Sequence, residues 1–287
     1  LVTGANSFVG KCLIQQLEKN KINYLGVDLN IKRNKNLKKI DIRDAEISKY
    51  IKSNTTIIHL AAISTDKLCE TNPNLAFDVN VNGTMNLINI ANKKKAKKFI
   101  FASTEWVYGN LAEKLQKEND EIKIESLNSL YAITKAIGEK LILNKNNKFK
   151  KIILRFGIIY GNRKKNFSAL ESILLNCAKN RLIEVGSKKT SRRFIHVFDI
   201  VRGIIKTLNY EKDSIFNLTG SKDITLEDII KISEKQLNKK FKIKEKNKKL
   251  ISTRKPSNYK FRKETGWLPE IDLQSGIFSL KNYFKIT

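Results

Sequence analysis

The feature that most constrains this chain stands at its head. Leu1-Val2 runs into T-G-A-N-S-F-V-G, from Thr3 to Gly10, and then into the amphipathic stretch KCLIQQLEK. A strand that turns through glycines directly into a helix aims backbone N–H groups and the positive end of the helix dipole at one point, which suits a pyrophosphate. Gly4 permits the tight turn and Gly10 permits close packing of helix on strand, while Ser7 stands where a further glycine is usual. Leu1 already lies at the end of a strand, so a start methionine and a few residues are expected upstream.

Strands and helices alternate from there. INYLGVD ends in Asp28, eighteen residues after Gly10, close to where a carboxylate accepts from a ribose 2′-hydroxyl. Such a carboxylate repels a 2′-phosphate and favours NAD, although Lys32 and Arg33 follow closely and keep NADP open. The run Asp41-Ile42-Arg43-Asp44 follows a third short strand, where an acidic side chain can meet an adenine amino group. TTIIHLAAIS reads as a buried parallel strand followed by small residues, Ala61 and Ala62, that let the backbone approach a cofactor. His59 within it is expected to be a satisfied structural residue. An amphipathic helix is expected over 74–92, with Asn80 placed to hold the chain behind the next strand. Continued through ILRFGIIYG, this order predicts an α/β, doubly wound parallel sheet of the Rossmann-like kind.

The chemistry is expected between Phe99 and Gly138. FIFASTEWVYG is an apolar strand with Ser103-Thr104 at its carboxyl end, and YAITKAIG opens a helix with Tyr131 and Lys135 four apart on one face. A phenol titrates near about 10, so a neighbouring ammonium and a cationic cofactor ring are needed to favour the phenolate. A tyrosine tuned in that way can take and return a hydroxyl proton. The spacing alone is weak in so basic a chain: Tyr160/Lys164 and Tyr259/Lys263 repeat it. Only Tyr131 follows a strand-end Ser-Thr within the dinucleotide-binding half.

With 287 residues the chain can bury a full core as a large domain with a smaller lobe. No apolar run approaches a membrane span, and no secretory signal is visible. Cys12, Cys69 and Cys177 are odd in number and widely spaced, and His59 and His196 lie apart; neither a disulfide framework nor a metal site is expected, and a reducing cytoplasm fits. The formal charge of +28 is spread through the chain in runs such as KNKINY and NKKKAKKF, the mark of a general Lys, Asn and Ile bias more than of a patch. Nucleic-acid binding is therefore not expected.

Together these pieces make the chain resemble the extended short-chain dehydrogenase/reductase family, in its NAD-dependent sugar-nucleotide epimerase and dehydratase branch. The resemblance rests on TGANSFVG, the Asp28 strand end, DIRD, HLAA, NVNGTMNL, FASTEWVYG, YAITK and LRFGIIYG, then RRFIHVFDI, FNLTG and KETGWLP. It implies NAD as cofactor, contacted by Gly4, Ser7, Phe8, Val9, Gly10, Asp28, Asp41, Ile42, Leu60, Ala61, Ala62, Asn80, Tyr131 and Lys135. It implies Thr104, Tyr131 and Lys135 as the catalytic set, and substrate contacts from Thr104, Glu105, Trp106, Arg192 and Arg254. Arginine suits a diphosphate because its planar fork meets phosphate oxygens in pairs. A dinucleotide-binding domain is expected over 1–161, with 191–220 returning to it, and a smaller C-terminal substrate lobe from 162–190 and 221–287. A homodimer through helices 74–92 and 131–146 follows from family likeness.

Departures narrow the reaction. Family dehydratases place an Asp-Glu pair after the strand-end threonine, where this chain has Glu105 and Trp106, so dehydration is disfavoured. Hexose epimerases commonly carry an asparagine at the place of Ile158, and Phe198 replaces an acidic residue before Asp199. Epimerisation of a nucleotide sugar through a keto-sugar is the leading expectation. A reductase of a keto-sugar nucleotide or another carbonyl, using NAD(P)H, and a non-catalytic NAD-bound binding protein remain open.

Overall fold

The structure, a computed structural model, describes residues 1–32, 35–109, 114–179 and 182–286. Two compact units emerge from its contacts. The first comprises Leu1–Gly109, Glu118–Phe156 and Val201–Phe216. It is built on a seven-stranded sheet in the order Ser214–Leu218, Lys150–Phe156, Lys98–Thr104, Thr56–His59, Val2–Thr3, Gly26–Asp28, Leu37–Lys39. The pairings from Lys150–Phe156 to Leu37–Lys39 are parallel. Val2–Thr3 lies mid-sheet, with Gly26–Asp28 on one side and Thr56–His59 on the other, so the chain winds outward in both directions from it. A crevice opens at the carboxyl ends of strands where such a winding reverses.

Residues buried on both faces explain the strands. Every residue of Lys98–Thr104 is buried, and Phe99, Phe101 and Ile153 join the core with Leu87, Ile88 and Ile142 from the covering helices. Each fully buried side chain of this size contributes about 1.5–3 kcal/mol. The fully enclosed Lys98 fits because its Nζ donates to the carbonyls of Thr207 (3.1 Å) and Leu208 (2.7 Å), at a helix C-terminus that favours a cation.

The helix expected over 74–92 is not continuous. Pro73–Phe77 is followed by a π-helical turn, Asp78–Asn82, and then Gly83–Lys93. The wide turn falls on Asn80, whose side chain bonds outward rather than lying over its own helix. At Gly83 an added Cβ would lie 2.7 Å from the end of the Ile42 side chain, which would have to shift to admit it.

The second unit comprises Gly157–Ile200, Asn217–Thr287 and residues 114–117. Its core gathers Tyr160, Leu170, Leu174, Phe194, Ile229 and Ile277. Phe194–His196, expected with the dinucleotide-binding domain, pairs in parallel with Ile158–Tyr160 inside this unit, and the return to the first unit begins at Val201.

Candidate active site

The glycine turn is sterically committed. Gly4 has φ +69°, and a Cβ there would stand 2.7 Å from the Ala61 nitrogen; at Gly10 it would stand 2.2 Å from the Gly4 carbonyl oxygen. Both are backbone collisions that a side chain cannot rotate away from. Ser7 has its own role: it N-caps the helix Phe8–Lys19, its Oγ accepting from Gly10 N at 3.0 Å. Phe8 and Val9 form the first turn of that helix. Asp28 comes beside the turn, its carboxylate accepting from the backbone N–H of Asn6 and of Asn30, each at 3.0 Å. Leu60, Ala61 and Ala62 stay partly exposed next to Gly4, and Ala61 N donates to Thr3 Oγ1. A cradle that a Cβ would fill, a helix N-terminus and a carboxylate beside it fit a dinucleotide. Lys32 is exposed; Arg33 lies outside the described residues.

Two expected cofactor residues stand differently. Asp41 is gripped by Arg43, which donates from Nε to both oxygens (3.0 and 3.1 Å) and from Nη2 at 2.5 Å. That hydrogen bonding holds the carboxyl below its usual range. An adenine amino group would have to use the remaining lone pairs. Neighbouring Ile42 is buried, and its carbonyl accepts from Asn86. Asn80 is 2 % exposed, and its amide is spent on Ile63 N (2.8 Å), Ile63 O (3.0 Å) and Thr134 Oγ1 (3.0 Å). It positions the chain and is not turned to a ligand.

A buried polar chain runs from the turn to the helix that carries Tyr131. Thr84 Oγ1 donates to Asn80 O at 2.6 Å and so accepts from His59 Nε2 at 2.9 Å. His59 Nδ1 then accepts from Thr3 Oγ1 at 2.7 Å. Both ring nitrogens are satisfied, and burial, aided by the Lys135 charge, pushes the imidazole down to about 3, so it stays neutral. The structural role expected of His59 is what these bonds describe. At the far end Thr134 Oγ1 donates to Tyr131 O.

Thr104 ends the strand Lys98–Thr104, and the helix Leu130–Leu143, N-capped by Ser129, brings the partly exposed Tyr131 beside it. Burial pushes the Tyr131 phenol up, and the bond to Thr104 opposes the rise. Lys135 is 3 % exposed; its Nζ donates to Ala102 O at 2.7 Å and lies 4.6 Å from the Phe101 ring centroid. Burial pushes it down to about 7 against the opposing influence of Cys69 and Glu139. The lowering expected from the amine and a cationic cofactor ring together is thus not supplied by the amine alone. Enclosure penalises the charge of Lys135, whose amine is turned toward a carbonyl, while Tyr131 keeps a partly exposed surface.

Glu105 is fully buried, whereas Trp106 keeps a partly exposed surface. In the second unit Arg192 and Arg254 come onto adjacent segments: Arg254 N donates to Ser191 O, and Arg192 donates to the carbonyls of Ser191 and Ser252, each at 2.7 Å. The other Tyr-x-x-x-Lys tyrosines are ruled out by surroundings. Tyr160 is a buried strand residue and Tyr259 is exposed on a helix of the second unit. Sequence reasoning missed Glu139 and Arg155, which lie behind Lys135. The only sequence signal was that Glu139 continues the spacing of Tyr131 and Lys135 by four more residues.

The profile of the NAD dependent epimerase/dehydratase family matches residues 1–219. The chain belongs to this family, whose cofactor is NAD. A putative UDP-glucose 4-epimerase of Methanocaldococcus jannaschii is 29 % identical over 99 % of this chain and 98 % of its own length. A UDP-glucuronate 4-epimerase of Thermodesulfobacterium geofontis is 28 % identical over 99 % and 95 %. The solved UDP-glucuronic acid 4-epimerase from Bacillus cereus, in complex with UDP-glucuronic acid and NAD, shares the fold with a TM-score of 0.85 and 24 % identity over 99 % and 98 %.

Proposed function

We propose that this protein epimerises a nucleoside diphosphate sugar, of the UDP-hexose or UDP-hexuronate class, through a transient keto-sugar. The reading is supported by Tyr131 lying beside Thr104 at the carboxyl end of one strand, with Lys135 one helical turn further on and its Nζ on the Ala102 carbonyl of that strand. The relatives named above act on the same class of sugar. The cradle of Gly4, Ser7 and Gly10 with Asp28 holds the dinucleotide. When bound, NAD supplies a reversible hydride acceptor. Tyr131 removes and returns the proton of the reacting hydroxyl, Thr104 holds that oxygen, and Lys135 supplies positive charge beside the phenol. Trp106, with its exposed face, bounds the sugar, and its replacement of a glutamate argues against dehydration.

The second unit is the substrate lobe in this reading, and Arg192 and Arg254, on adjacent segments of it, are the cations it offers a diphosphate. A homodimer is supported by exposed apolar residues on the helices of the first unit, Leu75, Phe77, Met85 and Leu143. A cytoplasmic setting suits the three free cysteines; no helix among the described residues is long and apolar enough to cross a membrane.

The test incubates the protein with UDP-glucose and UDP-glucuronate, following product stereochemistry by NMR and absorbance at the nicotinamide band. Epimer formation without net change in NADH is expected. Tyr131→Phe should lower turnover by about 10²–10⁴-fold while NAD binding persists. Stoichiometric consumption of NADH would instead establish a reductase.

A further inference from the structure

The strand that ends in Thr104 runs straight into a short 3₁₀ turn, Glu105–Tyr108, which carries Trp106. The first end of the turn is held by Thr104, whose Oγ1 accepts from Trp106 N at 3.3 Å. The other end is held by Arg155, from the neighbouring parallel strand Lys150–Phe156. Arg155 Nη1 donates to Tyr108 OH at 2.9 Å, and the guanidinium carbon lies 4.9 Å from the centroid of that ring. The same nitrogen donates to Glu118 O at 3.2 Å, so one guanidinium grips the chain on both sides of residues 109–117. The fork is itself fixed. Its Nε donates to Glu139 Oε1 at 3.0 Å and its Nη2 to Oε2 at 2.8 Å, and Ser103 Oγ donates to the same carboxylate. Tyr108, Glu139 and Arg155 are each 4 % exposed or less, so water does not compete for these groups.

We propose that Arg155, oriented by Glu139, is the positioning residue of the turn that carries Trp106, and so sets how tightly a sugar is held beside Thr104. Its consequence for the sugar rests on the function proposed above; the pinning of the turn does not. Glu105, Val107 and Tyr108 are buried, and Trp106 is the residue of the turn that keeps exposed surface. Arg155 acts on it through Tyr108. Tyr108 is enclosed with Val107, Leu127, Ala132 and Ala136, and Trp106 packs against this cluster. Gly109 N donates to Trp106 O at 3.0 Å and closes the turn just beyond Tyr108. The task suits arginine because a planar fork meets two carboxylate oxygens, a phenol and a carbonyl along fixed directions, which a single ammonium does not.

The chain has two tryptophans, so labelling the full chain with 5-fluorotryptophan gives two ¹⁹F lines, that of Trp106 being assigned by its absence in Trp106→Phe. The readout is the H₂O–D₂O shift of the Trp106 line, which grows with exposure. It is compared among wild type, Tyr108→Phe and Glu139→Gln/Arg155→Gln, the double change leaving no lone charge in the core. Circular dichroism checks that each variant folds. The shift should grow in both variants, and more in the double one. An unchanged shift in a folded double variant overturns the proposal. Should the double variant fail to fold, Tyr108→Phe decides: a larger shift supports the proposal, and an unchanged one overturns it. On UDP-sugars, KM should rise by about 3–10-fold while kcat changes by less than about 2-fold. A merely structural role would lower kcat through fewer folded molecules and leave KM alone, and an unchanged KM beside a larger shift overturns the consequence for the sugar. Absence of turnover in the wild type would sink the functional reading and leave the ¹⁹F shift to judge Arg155 independently.

Discussion

Replacing Lys135 with methionine should make the protein more stable, and by an amount that depends on pH in a calculable way. Burial pushes Lys135 from the usual lysine value of 10.5 down to about 7. Between these values the unfolded chain holds a proton that the folded chain has released, so wild-type stability from this group rises with pH. Near pH 6 the folded protein carries the enclosed cation at a cost of about 5 kcal/mol; near pH 9 the amine is neutral in the fold and the cost is about 2 kcal/mol. Methionine fills a similar volume and carries no charge. The loss of the Ala102 contact subtracts a constant from the gain. Urea unfolding of both proteins near pH 6, 7.5 and 9 should therefore show the advantage of Lys135→Met shrinking by about 2–3 kcal/mol across the range. Titrations of groups that do not interact with Lys135 cancel in the difference. A gap that is constant, or that widens with pH, would refute the reasoning, because it would mean that the amine is not penalised by its enclosure. With the role proposed for Lys135, the same variant should also lose turnover.

Two other substitutions probe the cofactor end. Gly10→Ala puts a methyl 2.2 Å from the Gly4 carbonyl oxygen, so it should abolish NAD binding by calorimetry and lower stability by about 1–3 kcal/mol or more. An alanine variant that binds NAD normally would show that the turn is not the cradle. Asp28→Ala leaves the N–H groups of Asn6 and Asn30 without their acceptor, and should weaken NAD binding by about 1–3 kcal/mol while raising the preference for NADP, read from paired titrations. An unchanged ratio of the two affinities would separate Asp28 from the ribose.

What the sequence determined by itself was whatever a short stretch can encode. The glycine turn is legible because only residues lacking a Cβ satisfy it, and Asp28 because strand length puts it at the neighbouring strand end. Tyr131 could be chosen over Tyr160 and Tyr259 because a strand and its Ser-Thr precede it. The alternation of buried strands and amphipathic helices followed from periodicity, which is also local. The tertiary structure decided the partners. Arg43 is only two residues from Asp41, yet that it would claim both oxygens depended on where Asp78 holds its other nitrogen. Asn80 breaks its helix because Ile63 and Thr134, far along the chain in both directions, offer its amide bonds. Glu139, Ser103 and Arg155 meet only because two strands pair in one register and a helix crosses them. Buried polar groups must be satisfied, but the sequence does not say by whom: that follows from which distant segments the sheet order makes neighbours.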